Sequence, residues 1–322
     1  MTESDTLASL GESATLGRIF PRLPTADRQL LGPGDDSAVV DAPDGRFVVT
    51  TDMMIHGPDF RLAWSSPHDL GWKAAASNLA DIAAMGAMPT ALVVAIAAPA
   101  ESPISLLEGI ADGLRDGCAA MAPGCGVVGG DLSVSPTLTI AVTAFGDLGG
   151  RAPVLRSGAQ AGDQVAVSGP LGAAAAALQL LFAQAVDDSG EPDARRAAEL
   201  RESTTAQLSP TPPIADGPLA AVGGATAMLD LSDGLAIDAG RLARASGVGV
   251  DFESAVLGSD VSLALGGGED HSLLATFPAS AALPGGFRRI GTVFAGEGIR
   301  VDGAPASTSG WDPYRNWNGA QG

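Results

Sequence analysis

The stretch 66–100 reads SPHDLGWKAAASNLADIAAMGAMPTALVVAIAAPA and places a long helix directly before an apolar run. Ser66 is a favourable N-cap, Pro67 suits the first helical position, and Gly86 ends the helix because glycine tolerates the left-handed conformation common there. The apolar run over 91–100 is too short to cross a membrane and predicts a buried strand. A helix followed by a buried strand indicates an α/β arrangement.

The same interleaving continues on both sides of this unit. Upstream, the pattern predicts a helix over 11–20 and a hairpin of strands 39–40 and 47–50 around an Asp44-Gly45 turn. Downstream, it predicts a helix over 103–121 capped by Ser102, and strands at 91–97, 127–128 and 137–145. In the second half, strands are predicted at 164–168, 227–231, 249–253, 271–277 and 287–293, with helices after Gly172 and Gly234. The charged stretch 187–203 predicts an exposed connection.

Helices and strands interleave in both halves, which predicts an α/β (α+β) protein of two domains. The pair Gly149-Gly150 begins a linker, so we predict the domains to be 1–150 and 151–322. A length of 322 residues, of which 46% are hydrophobic, fits two packed domains.

The charge and the cysteines exclude several classes of protein. A net charge of −19 argues against nucleic acid or an anionic membrane as a partner. Cys118 and Cys125 lack a Cys-x-x-Cys spacing, and we expect both to be reduced and buried. No basic segment precedes an apolar stretch near the N-terminus, so we expect a cytoplasmic protein without a signal peptide.

Short acidic motifs recur along the chain among glycines and small polar residues. They are Gly34-Asp35-Asp36-Ser37, Thr50-Thr51-Asp52, Asn78-Leu79-Ala80-Asp81, Gly129-Gly130-Asp131, Asp230-Leu231-Ser232-Asp233-Gly234 and Gly267-Gly268-Glu269-Asp270. Each motif alone is also what an ordinary turn or loop uses. Together, such carboxylates would repel one another unless cations lay between them, and hard oxygen ligands suit Mg²⁺ that holds a polyphosphate. The set predicts metal-assisted phosphoryl transfer from a nucleotide.

One face of the predicted helix 67–85 carries a polar stripe. Lys73, Ser77 and Asp81 recur at a spacing of four residues, with Asn78 beside them. Such a stripe is either a solvated face or part of a functional site. The presence of the other acidic motifs in the chain favours a functional site. Lys73 itself is interpreted as a helix-surface residue, with assistance to phosphates as the alternative.

Taken in order, the motifs resemble those of the thiamine-monophosphate kinase family, over about Gly11 to Trp311. The matching strings are GDDSAVV (34–40), TTDMMIHGPDF (50–60), KAAASNLADIAAMGAMP (73–89), GGD (129–131), RAPVLRSGAQAGD (151–163), DLSDGL (230–235) and LALGGGED (263–270). The resemblance implies the two-domain fold of aminoimidazole ribonucleotide synthetase and selenophosphate synthetase. It also implies a homodimer formed through the sheet of the N-terminal domain, and conversion of thiamine monophosphate and ATP to thiamine diphosphate and ADP.

The resemblance further implies roles for individual residues. As ligands of several Mg²⁺ ions it implies Asp36, Thr50, Thr51, Asp52, Asp81, Asp131, Asp230 and Asp233. For ATP it implies Gly130, Asp131, Arg156 and Ser232, with Arg151 as the competing arginine. For thiamine monophosphate it implies Asp59, Glu269 and Trp311, although Trp311 is also interpretable as a C-terminal core anchor. A requirement for K⁺ stays open.

No general base is expected, because a phosphate monoester with a second pKa of about 6 is largely dianionic at neutral pH. His56, His68 and His271 fall in no catalytic pattern. Asp59 stands where the family commonly has histidine, and Leu132 replaces a threonine of the family's Gly-Gly-Asp-Thr. The alternatives are a catalytically silent nucleotide-binding relative and another ATP-dependent enzyme of the same superfamily. The selenophosphate reaction is disfavoured because the first 30 residues contain no cysteine.

Overall fold

The computed structural model describes residues 5–32 and 37–306, and its N-terminal half is a four-stranded sheet with helices on one face. The helices of this half are α1 (Leu7–Ile19), α2 (Pro67–Ala84) and α3 (Ile104–Met121), with a 3₁₀ turn at Phe20–Arg22. The strands are β1 (Gln29–Leu31), β2 (Val39–Val40), β3 (Val48–Ile55), β4 (Met88–Ala98), β5 (Gly126–Val134) and β6 (Thr139–Asp147). The sheet order is β3-β6-β4-β5, in which β4 and β5 run parallel. Strands β1 and β2 pair with each other separately.

The C-terminal half contains a seven-stranded mixed sheet. Its strands are β7 (Gln164–Ser168), β8 (Ala227–Leu231), β9 (Gly249–Phe252), β10 (Ser272–Phe277), β11 (Arg288–Phe294), β12 (Gly298–Val301) and β13 (Ala304–Pro305), in the order β13-β12-β9-β11-β7-β10-β8. Its helices are α4 (Ala173–Gln184), α5 (Ala194–Glu199), α6 (Arg201–Leu208), α7 (Asp216–Val222), α8 (Leu235–Ser246) and α9 (Val261–Gly266), with a 3₁₀ turn at Ser254–Val256. The segment 148–163 separates the last strand of the first sheet from the first strand of the second.

Helices α2 and α3 cross closely because glycines lie at their contact. A Cβ atom on Gly71 would lie 2.0 Å from the carbonyl oxygen of Ile110, and one on Gly113 would lie 2.0 Å from that of His68. No side chain fits at such distances, so the sequence permits this approach only with hydrogen at both positions. At this crossing the main chains of α2 and α3 are in direct contact.

Helix α2 also lies at the junction of the two halves. One hydrophobic cluster includes Leu79 and Ile82 of this helix together with Met228 of β8 and Phe277 of β10. The helix is therefore buried nearly all round, which explains its high content of alanine and the absence of a conventional polar face. Its few polar side chains must find partners inside the protein.

The other face of the four-stranded sheet is open along β3, whereas residues of β4, β5 and β6 on that face pack in part against Ala26, Ala38 and Val40. Along β3, Val49 is 54% exposed and Met53 is 58% exposed, whereas Met54 on the opposite face is 7% exposed. This alternation follows the period of two in a strand. The sheet therefore presents apolar side chains to solvent on the face away from α2.

Several predicted elements are confirmed, together with the α/β (α+β) fold class. Helix α2 begins with a capping box between Ser66 and Asp69, has Pro67 in its first turn, and is followed by Gly86 at φ +74°. Strand β4 covers the predicted apolar run, and β7 and β8 have the predicted bounds. Helix α8 ends with Gly247 in the left-handed conformation. Cys118 and Cys125 are buried and free.

The predicted hairpin around Asp44-Gly45 is wrong. A turn does form there, with Gly45 at φ +64°, but β2 pairs with β1 and β3 pairs with β6. A local turn signal cannot distinguish a hairpin from a connection between two sheets, because the pairing partner is remote in sequence.

Three smaller predictions also need correction. Helix α3 starts after Pro103 without a side-chain cap, so Ser102 does not cap it. The stretch 187–203 is mostly exposed as predicted, but it is not only a connection, because α5 and the start of α6 lie within it. Strand β5 continues to Val134, so the Gly129-Gly130-Asp131 motif lies inside a strand and not after it.

Candidate active site

Helix α2 directs its polar stripe into the protein. Asn78 is 2% exposed, and its Oδ1 accepts a hydrogen bond from the main-chain N–H of Asp52 at 3.1 Å. The Nδ2 atom of Asn78 donates a hydrogen bond to the main-chain carbonyl of Ala74, one turn earlier in α2, at 2.9 Å. One turn further along, Asp81 Oδ2 accepts a bond from Thr50 Oγ1 at 2.7 Å. The stripe therefore connects α2 to β3 and is not a solvated face.

Three carboxylates from three elements influence one another at this place. Burial, followed by the charges of Asp230 and Asp52, raises the pKa of Asp81 to about 7. Burial also raises the pKa of Asp52, with the charges of Asp230 and Glu269 adding to the effect and His271 opposing it. Like charges in one cleft disfavour ionisation, and a cation between them would relieve the repulsion. Asp52, Asp81 and Asp230, three of the predicted metal ligands, therefore lie close enough to affect one another's charge.

His271 is a part of this cluster that the sequence did not indicate. Its Nδ1 lies 3.4 Å from Asp230 Oδ2, and both side chains are buried. Burial disfavours the imidazolium, but the hydrogen bond to Asp230 and the charge of Glu269 outweigh it and raise the pKa of His271. The position of His271 at the start of β10, directly after a glycine-rich acidic loop, was the available signal.

The loop before β10 holds Glu269 in an unusual conformation. Glu269 has φ +69° and His271 has φ +50°, a region that side chains rarely adopt. The main-chain N–H of Glu269 donates to the carbonyl of Ser232 at 2.8 Å, and that of His271 donates to Leu231 at 3.0 Å. Between them, the Asp270 carboxylate accepts a bond from the N–H of Ala174 at 2.8 Å. These contacts fix the loop against β8 and α4.

Lys73 is buried and pairs with Glu269, which corrects the interpretation of it as a helix-surface residue. Lys73 is 6% exposed, and its Nζ lies 2.5 Å from Glu269 Oε2. A polar helix face in a sequence predicts contact with solvent. In this structure the C-terminal half packs over that side of α2, so Lys73 is buried.

Asp59 lies near this ion pair. Its Oδ2 accepts a hydrogen bond from the N–H of Ile55 at 2.7 Å, which closes the turn after β3. Burial raises the pKa of Asp59; the charge of Glu269 adds to this effect, whereas the Ile55 bond and Lys73 oppose it. The predicted substrate residues Asp59 and Glu269 are therefore near neighbours.

Asp233 lies in an ion-paired group at the start of α8. Arg241 Nη1 lies 2.6 Å from Asp233 Oδ2 and 2.6 Å from Asp238 Oδ1. Asp238 Oδ2 also accepts a bond from the main-chain N–H of Asp233 at 3.0 Å, and burial raises the pKa of Asp238 to about 6. The sequence did not indicate Asp238 or Arg241, although both follow the Asp230–Gly234 motif by one or two helical turns.

Three predicted site residues lie away from the cluster of Asp52, Asp81 and Asp230. They are Gly130, Asp131 and Thr51, the last by its side chain. Across the sheet, Gly130 pairs with Val94, Val94 with Val142, and Val142 with Asp52. Three strand spacings place Gly130 about 14 Å from Asp52, at the opposite edge.

Asp131 lies in the adjacent row of the sheet and is exposed on its open face. Thr51 is on the same face, where its Oγ1 donates to the carbonyl of Val142 at 2.9 Å and accepts from Thr143 at 3.1 Å. One chain therefore does not gather all the predicted metal ligands.

A cavity of about 910 Å³ adjoins Gly130 and Asp131. Its wall includes Leu16 of α1, Leu114 of α3, Phe145 of β6 and Phe47. The cavity is mainly apolar and is lined by residues of β4, β5 and β6, including Val94 and Gly146. It offers room for a ring system on the Gly130 side but does not contain the carboxylate cluster.

The two candidate arginines occupy different surroundings. Arg151 Nη2 donates to the carbonyl of Gly86 at 3.2 Å, so it covers the junction after α2. Arg156 is exposed, and its carbonyl accepts a bond from Ser246 Oγ at 2.8 Å. Neither contact reaches the carboxylate cluster.

Some predicted residues cannot be located in this structure. Asp36 and its neighbour Asp35, as well as Trp311, lie outside the described residues. Within residues 5–32 and 37–306, no three His, Cys, Asp or Glu side chains converge as a ready-made metal site. Over the same residues, no helix is long and apolar enough to span a membrane.

Comparison with known proteins identifies the family. The family described as AIR synthase related protein, N-terminal domain, matches residues 34–148. Thiamine-monophosphate kinase of Mycobacterium tuberculosis is 44% identical over 98% of this chain and 93% of its own length. The chain belongs to the thiamine-monophosphate kinase family.

Solved structures of the thiamine-monophosphate kinase family have the same fold. The enzyme from Stenotrophomonas maltophilia K279a is similar with a TM-score of 0.76 and 32% identity, covering 92% of this chain and 98% of that one. A structure described as AaThiL complexed with AMPPCP and TMP gives a TM-score of 0.72 and 31% identity, over 96% of this chain and 99% of that one.

Proposed function

We propose that this chain transfers the γ-phosphoryl group of ATP to the phosphate of thiamine monophosphate, giving thiamine diphosphate and ADP. The observation that carries the proposal is the meeting of Asp52, Asp81 and Asp230 beside the Lys73–Glu269 pair. Membership of the kinase family supports it, as does the similarity to a structure described as containing AMPPCP, an ATP analogue, and TMP.

The donor chemistry of the cluster fits Mg²⁺. Hard carboxylate oxygens are the ligands this ion prefers, and the mutual repulsion that raises the pKa of Asp81 would be relieved by a divalent cation. We assign to Mg²⁺ the residues Asp36, Thr50, Thr51, Asp52, Asp81, Asp131, Asp230 and Asp233. When bound, Mg²⁺ neutralises phosphate oxygens and favours in-line transfer.

The chain's own contribution is to place these oxygens in advance. Asn78 fixes the main chain at Asp52, and Thr50 fixes the orientation of the Asp81 carboxylate. The acceptor phosphate is already an anion near neutral pH, so none of these residues needs to remove a proton. Positioning and charge compensation therefore account for the chemistry.

The acceptor is proposed to lie against Asp59 and Glu269. The charge of Glu269 acts on both Asp52 and Asp59, and a positively charged thiazolium ring suits a carboxylate-lined cleft. Trp311 completes the proposed acceptor site by stacking on a ring of the substrate. The Asp59 departure from the usual histidine is consistent with recognition of a cation.

ATP is proposed to contact Gly130, Asp131, Arg156 and Ser232, and a second copy of the chain would complete the site. Gly130 and Asp131 lie at the opposite sheet edge from Asp52, so one protomer separates the proposed ATP residues from the carboxylate cluster. The open face with Val49 and Met53 offers an apolar surface for dimerisation. We propose a cytoplasmic homodimer with domains 1–150 and 151–322.

The test is ADP release by purified protein with ATP and Mg²⁺, with products separated by chromatography. Thiamine monophosphate, free thiamine and aminoimidazole precursors serve as competing acceptors. Thiamine diphosphate formed from the monophosphate alone, and lost in Asp52→Asn, supports the proposal. Binding of ATP without turnover of any acceptor would favour the silent nucleotide-binding relative, and turnover of an aminoimidazole precursor would favour another enzyme of the superfamily.

A further inference from the structure

Lys73 of α2 contacts two further elements at the junction of the two halves. Its Nζ lies 2.5 Å from Glu269 in the loop before β10. One orientation of the Gln207 side-chain amide gives hydrogen bonds to both its oxygen and its nitrogen. In that orientation Oε1 accepts from Lys73 Nζ at 3.0 Å, and Nε2 donates to the main-chain carbonyl of Ala174 at 3.2 Å. Helix α2, helix α6 and the acidic loop therefore meet at one ammonium group, in a side chain that is 6% exposed, and helix α4 is joined to them through Gln207.

The main chain and the side chain of Glu269 are held from different sides. At φ +69° its backbone conformation is strained, and such conformations persist where the surroundings impose them. The backbone is held by Ser232, in the C-terminal half. The carboxylate is held by Lys73, from the N-terminal half.

Lys73 also compensates the charge of two carboxylates. Burial opposes ionisation of Glu269, but the charges of Lys73 and His271 outweigh it and lower the pKa of Glu269. The charge of Lys73 also opposes the burial that raises the pKa of Asp59. Both carboxylates that we assign to the acceptor therefore share Lys73 as a counter-ion.

We propose that Lys73 is a positioning residue for the acceptor: its ammonium, held by Gln207, fixes the Glu269 carboxylate where it faces the cationic ring of thiamine monophosphate. The role deepens the proposed function and rests on it. A positioning role acts on the acceptor through the Glu269 carboxylate. The bond from the Glu269 main chain to the carbonyl of Ser232, which we assign to ATP, does not involve Lys73 and stays in place.

Lys73→Met tests this role by removing the charge at similar length. We expect the KM for thiamine monophosphate to rise about tenfold or more, as for loss of a charged hydrogen bond, with the KM for ATP within about twofold. Glu269→Gln should raise the acceptor KM in the same way. Both changes remove the same Lys73–Glu269 interaction. The acceptor KM of the double variant should therefore be no higher than that of the more affected single variant.

Arg201→Met is the matched control. Arg201 pairs with Asp69 and joins α6 to α2, the same two helices that Gln207 and Lys73 join. Its loss should lower the midpoint of thermal unfolding without changing the acceptor KM. An equal rise of the acceptor KM in Arg201→Met would assign the effect to the helix contact and overturn the role of Lys73.

The exchanged pair Lys73→Glu/Glu269→Lys separates positioning from structural support, and it also serves if Lys73→Met does not fold. The exchange restores the ion pair but presents an ammonium to the cationic ring. We expect near-normal thermal unfolding and a persistently high acceptor KM. Recovery of the acceptor KM, or a Lys73→Met enzyme with unchanged kinetics, overturns the proposal.

The wild-type protein, tested for thiamine diphosphate formation in the same assay, distinguishes failure of the proposed function from failure of the proposed role of Lys73. If it forms no thiamine diphosphate, the proposed function fails, and calorimetric titration with thiamine monophosphate then decides the role of Lys73. Binding weakened about tenfold in Lys73→Met supports the role. Absence of wild-type binding, or equal binding by both proteins, overturns it.

Discussion

The side-chain oxygen of Asn78 accepts a hydrogen bond from the main-chain N–H of Asp52 at 3.1 Å. Asp52 lies on the edge strand β3, and Asn78 lies in the middle of α2, the helix packed between the two halves. A buried amide thereby holds the backbone of a carboxylate that must stay close to Asp81 and Asp230. This contact and the bond from Thr50 Oγ1 to Asp81 Oδ2 join β3 to α2 at the acidic cluster.

Replacing Asn78 should damage both stability and activity. Asn78→Leu leaves the Asp52 N–H without its acceptor, and we expect a loss of about 1–3 kcal/mol in the free energy of unfolding. Asn78→Asp keeps an acceptor oxygen and is the matched variant. Urea unfolding should rank the proteins wild type, Asn78→Asp, Asn78→Leu; equal stability of wild type and Asn78→Leu would contradict the role of this contact.

Asp81 should make the metal-free protein less stable as the pH rises. Its folded pKa of about 7 lies above the ordinary value of 3.8, so the folded state binds more protons than the unfolded state between these values. Stability therefore falls as the pH increases from about 4 to about 7. Asp81→Asn removes this contribution, of about 2–4 kcal/mol. Urea unfolding in EDTA at several pH values measures it, and parallel curves for both proteins would refute it.

Mg²⁺ should reverse this effect. A cation between the ionised carboxylates favours the folded state, by about 2.7 kcal/mol at a hundredfold excess over Kd. Thermal unfolding at pH 8 should therefore shift upward with Mg²⁺ in the wild type and much less in Asp52→Asn. The same upward shift in both proteins would show that the ion binds elsewhere.

The crossing of α2 and α3 should tolerate no side chain at Gly113. A Cβ atom there would lie 2.0 Å from the carbonyl oxygen of His68, so Gly113→Ala should cost about 1–3 kcal/mol by overpacking. Gly17→Ala in α1 is the control, since a Cβ at that position meets nothing within 4 Å. Chemical denaturation should separate the two variants, and equal stability would contradict the close crossing.

The open sheet face should govern association. Met53 is 58% exposed on an apolar face, and Met53→Lys introduces a charge there. Sedimentation should show a wild-type dimer and a monomeric variant, with activity lost in parallel. A monomeric wild type that is fully active would contradict the proposed homodimer.

Local signals in the sequence were sufficient for elements with clear ends. Ser66, Pro67 and Gly86 define α2, and short apolar runs define β4, β7 and β8, because caps and burial patterns are local properties. The hairpin around Gly45 failed, since the partner of β3 is β6, which lies far along the chain. Strand pairing is decided by such remote contacts.

The sequence predicted which acidic motifs belong to the candidate site, but not where their side chains lie relative to one another. The sequence grouped Asp52, Asp81 and Asp230, which do lie together, with Asp131, which lies across the sheet. It missed Lys73 and His271 as interior charges, because burial of a polar residue depends on what packs over it. Only the contact between the two halves determines that environment.

The most direct test of the proposed phosphoryl transfer follows the γ-phosphoryl group itself. ATP labelled in its γ-phosphate is mixed with Mg²⁺, thiamine monophosphate and either wild-type protein or Asp52→Asn. We expect the wild type to place the label in the terminal phosphate of thiamine diphosphate and Asp52→Asn not to do so. Label recovered from the wild type only as inorganic phosphate, with no labelled thiamine diphosphate, would contradict it.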